Sequence, residues 1–260
     1  MPLEHTICVP CAECHGHQWL VKNEETLALL VARLLMGQYR HVQKILANED
    51  SQYNSTSLSA AGIEDLIRKL EPGNDAEIYH RDGWIFQMIT WIAAKHVDPQ
   101  VMSAPPQSQS AMPGLDNLFV RADGNKVVKV IIGEDKATIN ERSTITSQVW
   151  PELREFETGK RDHELLNEIT PILERNNNSL DVDECLKELF WEQIRSYRVC
   201  ITVKDSKDNA SRKALFKGFD AVAAGDIDKR CAETFVVGEL RPWMDEFCKR
   251  IVKILRRCNV

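Results

Sequence analysis

Three side chains near the middle of the chain combine acidic and basic groups at a spacing that suits metal-dependent chemistry. Glu134 and Lys136 stand two residues apart at the end of the segment 126–136, whose β-branched residues predict a strand. Side chains at i and i+2 leave the same face of a strand. That face also carries Val130 and Ile132, so it is expected to be buried. Burying a carboxylate and an ammonium there is costly unless they pair or hold a metal.

Asp116 supplies a second carboxylate, 18 positions before Glu134, near the start of the extended run Leu115–Arg121. Hard oxygen ligands on rigid strands suit Mg²⁺ (or Mn²⁺), which keeps several waters and takes one or two protein carboxylates. Such a cation polarises a phosphoryl group and lowers the pKa of the attacking water. Lys136 would orient that water or stabilise the developing negative charge. The three residues together predict phosphodiester hydrolysis.

The hairpin that joins the two strands must meet a geometric condition. With a two-residue turn at Asp123-Gly124, Asp116 would lie opposite Ile131, on the other face from Glu134. A five-residue loop from Asp123 to Val127 would place Asp116 opposite Glu134, and a β-bulge would also restore the parity. We therefore expect one of these two arrangements.

Helices and strands around this hairpin predict the layers that position it. Asn23 suits the N-cap of one helix, Ser57 or Ser59 suits that of a second, and a strongly apolar third helix is predicted from about Asp82 to Lys95. The prolines between Asp98 and Gly114 predict a loop. Further predicted elements are helices after Ser143, Asp162 and Asp181 or Asp183, a strand over 198–204, and helices near 212–224 and 242–257.

This order of elements indicates an α/β (α+β) fold in which helices cover both faces of a sheet. The second strand of the hairpin is apolar on both faces, with Val128, Val130 and Ile132 on one and Val127 and Ile131 on the other. It is therefore predicted to be central. We assign residues 1–74 to an N-terminal helical extension and residues 75–260 to the domain that carries the site.

Charge argues against a protein that coats nucleic acid by bulk attraction, because the 260 residues have a net charge of −6. Two local basic clusters remain as candidate nucleic-acid contacts, and solvated helix faces are the alternative reading of both. The first cluster comprises Arg198, Lys204, Lys207, Arg212, Lys213 and Lys217, and the second comprises Lys249, Arg250, Lys253, Arg256 and Arg257.

The apolar runs are too short or too interrupted to span a bilayer. The start, Met-Pro-Leu-Glu-His, lacks the basic and apolar segments of a secretion signal. We therefore expect a cytoplasmic protein whose eight cysteines stay reduced.

A second possible metal site lies near the N-terminus. Cys8, Cys11 and Cys14 recur every three residues, and His15 and His17 follow. Zinc takes four such ligands, commonly as two separated pairs, but no second Cys-x₂-Cys pair occurs downstream. The alternatives are a structural zinc or buried, incidental thiols, and the sequence leaves both open.

At Pro113-Gly-Leu-Asp116 and Gly133-Glu-Asp-Lys136, set between an apolar helix and a helix followed by a strand, the chain resembles the PD-(D/E)XK nuclease superfamily. The resemblance covers roughly residues 82–204. It implies a restriction-endonuclease-like mixed sheet with the site at one edge. It also implies Asp116 and Glu134 as metal ligands, the main-chain carbonyl of Asp135 as a third, and Lys136 as the catalytic lysine.

Two positions depart from the superfamily pattern. The proline stands three residues before Asp116 rather than next to it, and Gln87 replaces the glutamate that members often carry on the first core helix. Gln87 would meet the site as a neutral ligand or through water. Arg142, as a phosphate contact or a loop charge, and Gln148, on the following helix, are further candidates for binding substrate or supporting the site.

Within the superfamily, the chain length and residues 133–145 resemble the small nuclease subunit of Hachiman-type anti-phage systems, which works beside a helicase. The sequence thus predicts a Mg²⁺-dependent DNA endonuclease in anti-phage defence or DNA processing, to which a helicase or another protein subunit delivers DNA. The alternative is a catalytically inactive scaffold or partner-binding subunit of the same fold, in which Glu134 and Lys136 merely pair.

Overall fold

The computed structural model describes residues 1–49, 58–107, 114–124, 126–176, 182–191 and 194–257. The strands are β1 (Leu3–Ile7), β2 (His17–Val21), β3 (Met102–Ser103), β4 (Asn117–Asp123), β5 (Lys126–Lys136), β6 (Arg195–Val203) and β7 (Arg230–Val236). The helices before the hairpin are α1 (Glu24–Leu35), α2 (Tyr39–Leu46), α3 (Ala60–Leu70) and α4 (Asp75–Val97). Those after it are α5 (Glu141–Thr144), α6 (Trp150–Glu157), α7 (Asp162–Asn176), α8 (Val182–Trp191), α9 (Asn209–Leu215), α10 (Phe219–Val222) and α11 (Leu240–Arg257). A π-helical turn (Ile145–Val149) links α5 to α6.

The strands form one mixed sheet in the order β1-β2-β7-β6-β5-β4-β3. The central strands β2, β7, β6 and β5 run parallel to one another, whereas β1 pairs antiparallel with β2, and β4 pairs antiparallel with both β5 and β3. This confirms the predicted mixed α/β architecture with helices on both faces. The N-terminal region that was predicted as a helical extension contains α1, α2 and α3, and it also supplies β1 and β2 to the sheet.

Each face of the sheet packs into its own apolar core. One core combines α1, α3, α4 and α11 with side chains such as Trp19 and Phe235, and the other is built by α6, α7, Val130 and Ile132. The long helix α4 begins at Asn74, whose side chain accepts a hydrogen bond from the Glu77 N–H. Most of its residues from Trp84 to Ala93 are buried, as its apolar sequence predicts. This helix and the sheet are therefore a rigid frame for side chains between them.

The β4–β5 hairpin has the register that the site requires. Asn117 pairs with Gly133 and Arg121 with Lys129, but Ala122 then pairs with Val127, so a β-bulge leaves Val128 as the extra residue. The tight turn at Asp123-Gly124 without a bulge does not occur, because Asp123 pairs with Lys126; Asn125 lies outside the described residues. The predicted bulge is confirmed, and with it the parity that sets Asp116 opposite Glu134.

The bulge changes one detail of the predicted strand. Val128 was expected on the face of Val130 and Ile132, but it is 41% exposed, and Val127 takes the buried position instead. Pro113, which belongs to the motif before Asp116, and Ser57 and Asp181, each an alternative helix start, lie outside the described residues. Within the part of the chain that the structure describes, no helix is long and apolar enough to cross a membrane.

Candidate active site

The structure brings Asp116, Glu134 and Lys136 together where β4 begins and β5 ends. The Lys136 ammonium lies 2.9 Å from Glu134 Oε2 and 3.4 Å from Asp116 Oδ2. Both carboxylates thus converge on one cation, as the hairpin register predicts. Glu134 is almost fully buried, whereas Lys136 keeps 21% of its side chain exposed.

The electrostatics of this group follow from burial and crowding. Burial raises the pKa of Glu134 well above its ordinary value, and the negative charge of Asp116 adds to this effect. Burial alone would lower the pKa of Lys136, but attraction by Glu134 and Asp116 outweighs it and raises that pKa above its ordinary value. Lys136 therefore favours its charged form, whereas burial and the neighbouring Asp116 favour the neutral form of Glu134.

Neighbouring groups fix the orientation of Asp116. The Gln87 side-chain amide donates a hydrogen bond to Asp116 Oδ1, and the Asp135 N–H donates one to Oδ2 over 2.9 Å. Gln87 thus contacts the site by a direct hydrogen bond to Asp116, whereas the sequence predicted a neutral ligand or a contact through water. Because the donors come from α4 and from β5, the carboxylate is held between the helix and the sheet.

Asp135 itself points to the opposite face of β5 from Glu134, as alternation along a strand requires. Asn117 donates a 2.6 Å hydrogen bond to Asp135 Oδ2, and Arg198 lies 3.8 Å from Oδ1. Burial raises the pKa of Asp135 to about 7, and Arg198 offsets only part of that effect. The side chain of Asp135 therefore stabilises β5 from the face opposite Glu134.

A cleft of about 500 Å³ opens beside Asp116 and Lys136. Its wall is mostly polar and includes Gln87, Asn140 and Gln148. Gln148 therefore lies where the sequence predicts, on the helix that follows the motif strand. Trp84 also lines the cleft and donates a hydrogen bond from Nε1 to the Gln107 carbonyl, which ties α4 to the loop before β4.

Arg142 does not reach this cleft. Its Nη1 donates to the carbonyl oxygens of Leu215 and Lys217, at 2.8 and 2.9 Å, so it anchors α5 to the turn after α9. The expected phosphate contact at Arg142 is corrected accordingly. A guanidinium that satisfies two main-chain carbonyls is a structural tie, and nothing in the sequence distinguished it from an arginine that points into the cleft.

Glu152 and Arg161 were missed from the sequence. Glu152 Oε2 lies 3.8 Å from the Lys136 ammonium, and Glu152 Oε1 lies 3.3 Å from Arg161. Glu152 could have been predicted from the sequence, because it follows Gln148 by four residues, and residues four apart share a helix face. Lys136 therefore has a third carboxylate neighbour, which Arg161 partly neutralises.

The two basic clusters differ in how far their cations are paired within the fold. In the first, Arg198 binds Glu233 and Arg212 donates to main-chain carbonyls, while Lys204 and Lys207 pair with acidic residues. In the second, Arg250 pairs with Glu24 and Glu25 on α1. In the second cluster Lys249, Lys253, Arg256 and Arg257 are exposed on α11, as in a solvated helix face, whereas Arg198 and Arg212 of the first connect elements of the fold.

The donor set fits a hard divalent cation. Asp116 and Glu134 contribute carboxylate oxygens, and the buried Glu134 Oε2 contacts the Lys136 ammonium at 2.9 Å. Neither of these two side chains offers a thiolate or an imidazole, the softer ligands that would favour zinc. The residues present therefore match Mg²⁺ or Mn²⁺ in chemical type.

Comparison of the chain with protein-family models, with curated proteins and with solved structures found no match. The geometry of the site therefore has to carry the functional argument.

Proposed function

We propose that this protein is a metal-dependent DNA nuclease of restriction-endonuclease-like fold that hydrolyses phosphodiester bonds. One observation carries the proposal: the bulged hairpin gathers Asp116, Glu134 and Lys136 beside an open polar cleft. The order of α4, the β4–β5 hairpin, helices and the parallel strand β6 supports it, since this is the order that the resemblance implies.

Asp116, Glu134 and the main-chain carbonyl of Asp135 would hold Mg²⁺ or Mn²⁺. When bound, the metal supplies Lewis-acid polarisation of the phosphoryl oxygen and lowers the pKa of a bound water. Gln87 and the Asp135 N–H keep the Asp116 carboxylate aimed at the cleft. A positioned ligand costs no reorganisation when the reaction occurs.

Lys136 acts as a fixed positive charge in this proposal. Attraction by Glu134 and Asp116 raises the pKa of Lys136 and favours its charged form. It stabilises the negative charge that develops on the phosphoryl oxygens and orients the water. An ammonium in a partly buried site does this better than one in bulk water, because the local dielectric constant is lower.

Delivery of DNA by a partner belongs to the same proposal. The chain has a net charge of −6, and cations such as Arg198 and Arg250 are held in ion pairs within the fold. Phosphate neutralisation is the main source of affinity for DNA, so this chain alone is a poor DNA binder. A helicase or another basic subunit in the cytoplasm, acting in anti-phage defence or DNA processing, would supply what is missing.

The test is plasmid cleavage with Mg²⁺ or Mn²⁺, together with Mn²⁺ binding to the protein alone. We expect the wild type to bind Mn²⁺ and to cleave, and Glu134→Gln and Lys136→Ala to lose at least about 100-fold in rate. Asp116→Asn should also lose Mn²⁺ binding. Asp65→Asn, a surface carboxylate on α3, is the matched control and should behave as wild type.

The alternative function is a catalytically inactive scaffold of the same fold. The pairing of Lys136 with carboxylates favours it, because such pairs also stabilise folds without doing chemistry. A wild type that neither cleaves DNA nor binds Mn²⁺ at Asp116 would decide for the scaffold. Mn²⁺ binding without cleavage would point to an enzyme that needs its partner.

A further inference from the structure

A second group of ligand-type side chains lies on the sheet face that packs against α4. His17 is on β2, and Cys231 and Glu233 stand two residues apart on the parallel neighbour β7. Their ligand atoms, one nitrogen, one sulfur and one oxygen, all lie within 4.8 Å of one another. Three different donor atoms from two strands of one sheet thus lie close together.

The cysteines near the N-terminus do not form the site that their spacing suggested. Cys11 Sγ and Cys14 Sγ lie 4.0 Å apart, but the Cys8 Sγ contacts the Thr6 carbonyl instead. His17 turns towards β7, where its Nδ1 lies 2.7 Å from Glu233 Oε1. In the part of the chain that the structure describes, the three-residue cluster of metal-ligand type is His17, Cys231 and Glu233.

We propose that His17, Cys231 and Glu233 form a binding site for a divalent transition metal, with zinc as the ion that this donor set suits best. Zinc accepts imidazole, thiolate and carboxylate at about 2.0–2.3 Å. The three donors are already close enough that small side-chain rotations would bring them to such distances. The mixed donor set distinguishes this site from the all-oxygen set at Asp116 and Glu134.

The surroundings of the cluster resemble the outer shell of a metal site. Arg198 binds the other carboxylate oxygen of Glu233, and ligating carboxylates are typically held in this way. This contact fixes the orientation of Glu233 and leaves Oε1 directed at His17. The Arg198 side chain is itself nearly buried, so it is a fixed part of the face.

A cavity of about 160 Å³ lies beside the cluster and is lined by all three residues. A three-ligand zinc site keeps its fourth position for water or a small ligand. His15 also lines this cavity, and its Nε2 is buried without a hydrogen-bond partner. An unpaired buried nitrogen is costly, and a water bound in the cavity would satisfy it.

Metal binding releases one proton and moves another. The Cys231 thiol loses its proton to solvent, because the thiolate is the ligand form. The neutral His17 ring binds through Nδ1, so the hydrogen that Nδ1 shares with Glu233 Oε1 moves to Nε2 by exchange with solvent. The ion takes the place of the hydrogen between His17 and Glu233, and no redox step is involved.

The experiment is titration of the full-length, chelator-treated protein with Co²⁺, a spectroscopic substitute for zinc. A cysteine thiolate bound to Co²⁺ gives a near-ultraviolet charge-transfer band. We expect this band at one equivalent in the wild type, with displacement by Zn²⁺ but not by Mg²⁺. Cys231→Ser should abolish it, and the matched control Cys11→Ser should retain it.

His17→Gln keeps the thiol and should weaken Co²⁺ binding at least tenfold, so the site remains testable if Cys231→Ser fails to fold. A wild type without the band would overturn the proposal, as would a band that survives in Cys231→Ser or disappears in Cys11→Ser. The readout is absorbance and not DNA cleavage, so it is independent of the nuclease proposal.

Discussion

Lys136 is one ammonium surrounded by three carboxylates. Glu134, Asp116 and Glu152 lie 2.9, 3.4 and 3.8 Å from its nitrogen. Removing the single cation leaves buried negative charges facing one another, whereas removing one carboxylate leaves the cation with two partners. Loss of one member of a buried ion pair costs about 3–5 kcal/mol when the remaining charge is uncompensated. We therefore expect loss of the lysine to destabilise the protein more than loss of one carboxylate.

We expect Lys136→Met to lower the free energy of unfolding by an amount near the lower end of about 3–5 kcal/mol, because Lys136 is partly exposed. Glu134→Gln should leave it unchanged or raise it, since the amide relieves repulsion with Asp116. Chemical denaturation of both variants at neutral pH checks this. Equal destabilisation by the two substitutions would show that the negative charge at this site is not in excess.

The sequence could predict these residues but not all of their partners. Asp116, Glu134 and Lys136 were accessible because strand alternation and hairpin parity are simple rules. The roles of Glu152 and Arg142 were not, because helix orientation around the cleft decides which long side chain enters it. Arg142 binds main-chain carbonyls far along the chain, a contact that no local pattern encodes.

At the scale of elements, the N-terminal segment docks beside β7 through one glycine. Gly16 has a φ of +135°, and a Cβ there would overlap the main-chain oxygen of Ala232. Gly37 also has a positive φ, +77°, but no atom lies within 4 Å of its would-be Cβ. Substituting Gly37 therefore tests backbone strain alone, whereas substituting Gly16 tests backbone strain together with a steric clash between two elements.

Gly37→Ala should cost about 1–2 kcal/mol, the strain of a left-handed alanine. Gly16→Ala should cost a further 1–3 kcal/mol or so, because the added methyl forces His15 and Ala232 apart. Denaturant unfolding of the two variants measures the difference. If both lose the same stability, the close approach to β7 does not contribute to it.

Element prediction succeeded where periodicity or capping is strong. Asn23 and Ser59 both accept the hydrogen bonds of N-caps, at 2.9 and 3.2 Å, as their position predicts. The strands β1, β2 and β7 were missed, as was the two-residue β3, which lies in the segment between Asp98 and Gly114 that was predicted to be a loop. β7 carries Arg230, Cys231 and Glu233 in a strand of seven residues, so its polar members hide the apolar signal that marked β5. Glu233 is tolerated because it binds Arg198 on β6, and Arg230 because it donates to main-chain carbonyls.

At the scale of the whole molecule, the two ends of the chain share one core. Helix α1 packs against α11, and Met244, Phe247, Ile251 and Leu255 of α11 are buried together with residues of α1 and α3. Strand β2 also pairs with one edge of β7. The sequence division into residues 1–74 and 75–260 thus cuts through packed elements, although the site itself lies in the second part.

We expect a fragment of residues 75–260 to lack a cooperative unfolding transition and to lose DNA cleavage. Without α1 and α3, the apolar face of α11 would be exposed to water, and β7 would lose its pairing with β2. The full chain should unfold in one transition when followed by both tryptophan fluorescence and circular dichroism, because Trp19 and Trp150 report on opposite faces of the sheet. A fragment with its own sharp transition and retained cleavage would instead make the N-terminal residues a separable extension.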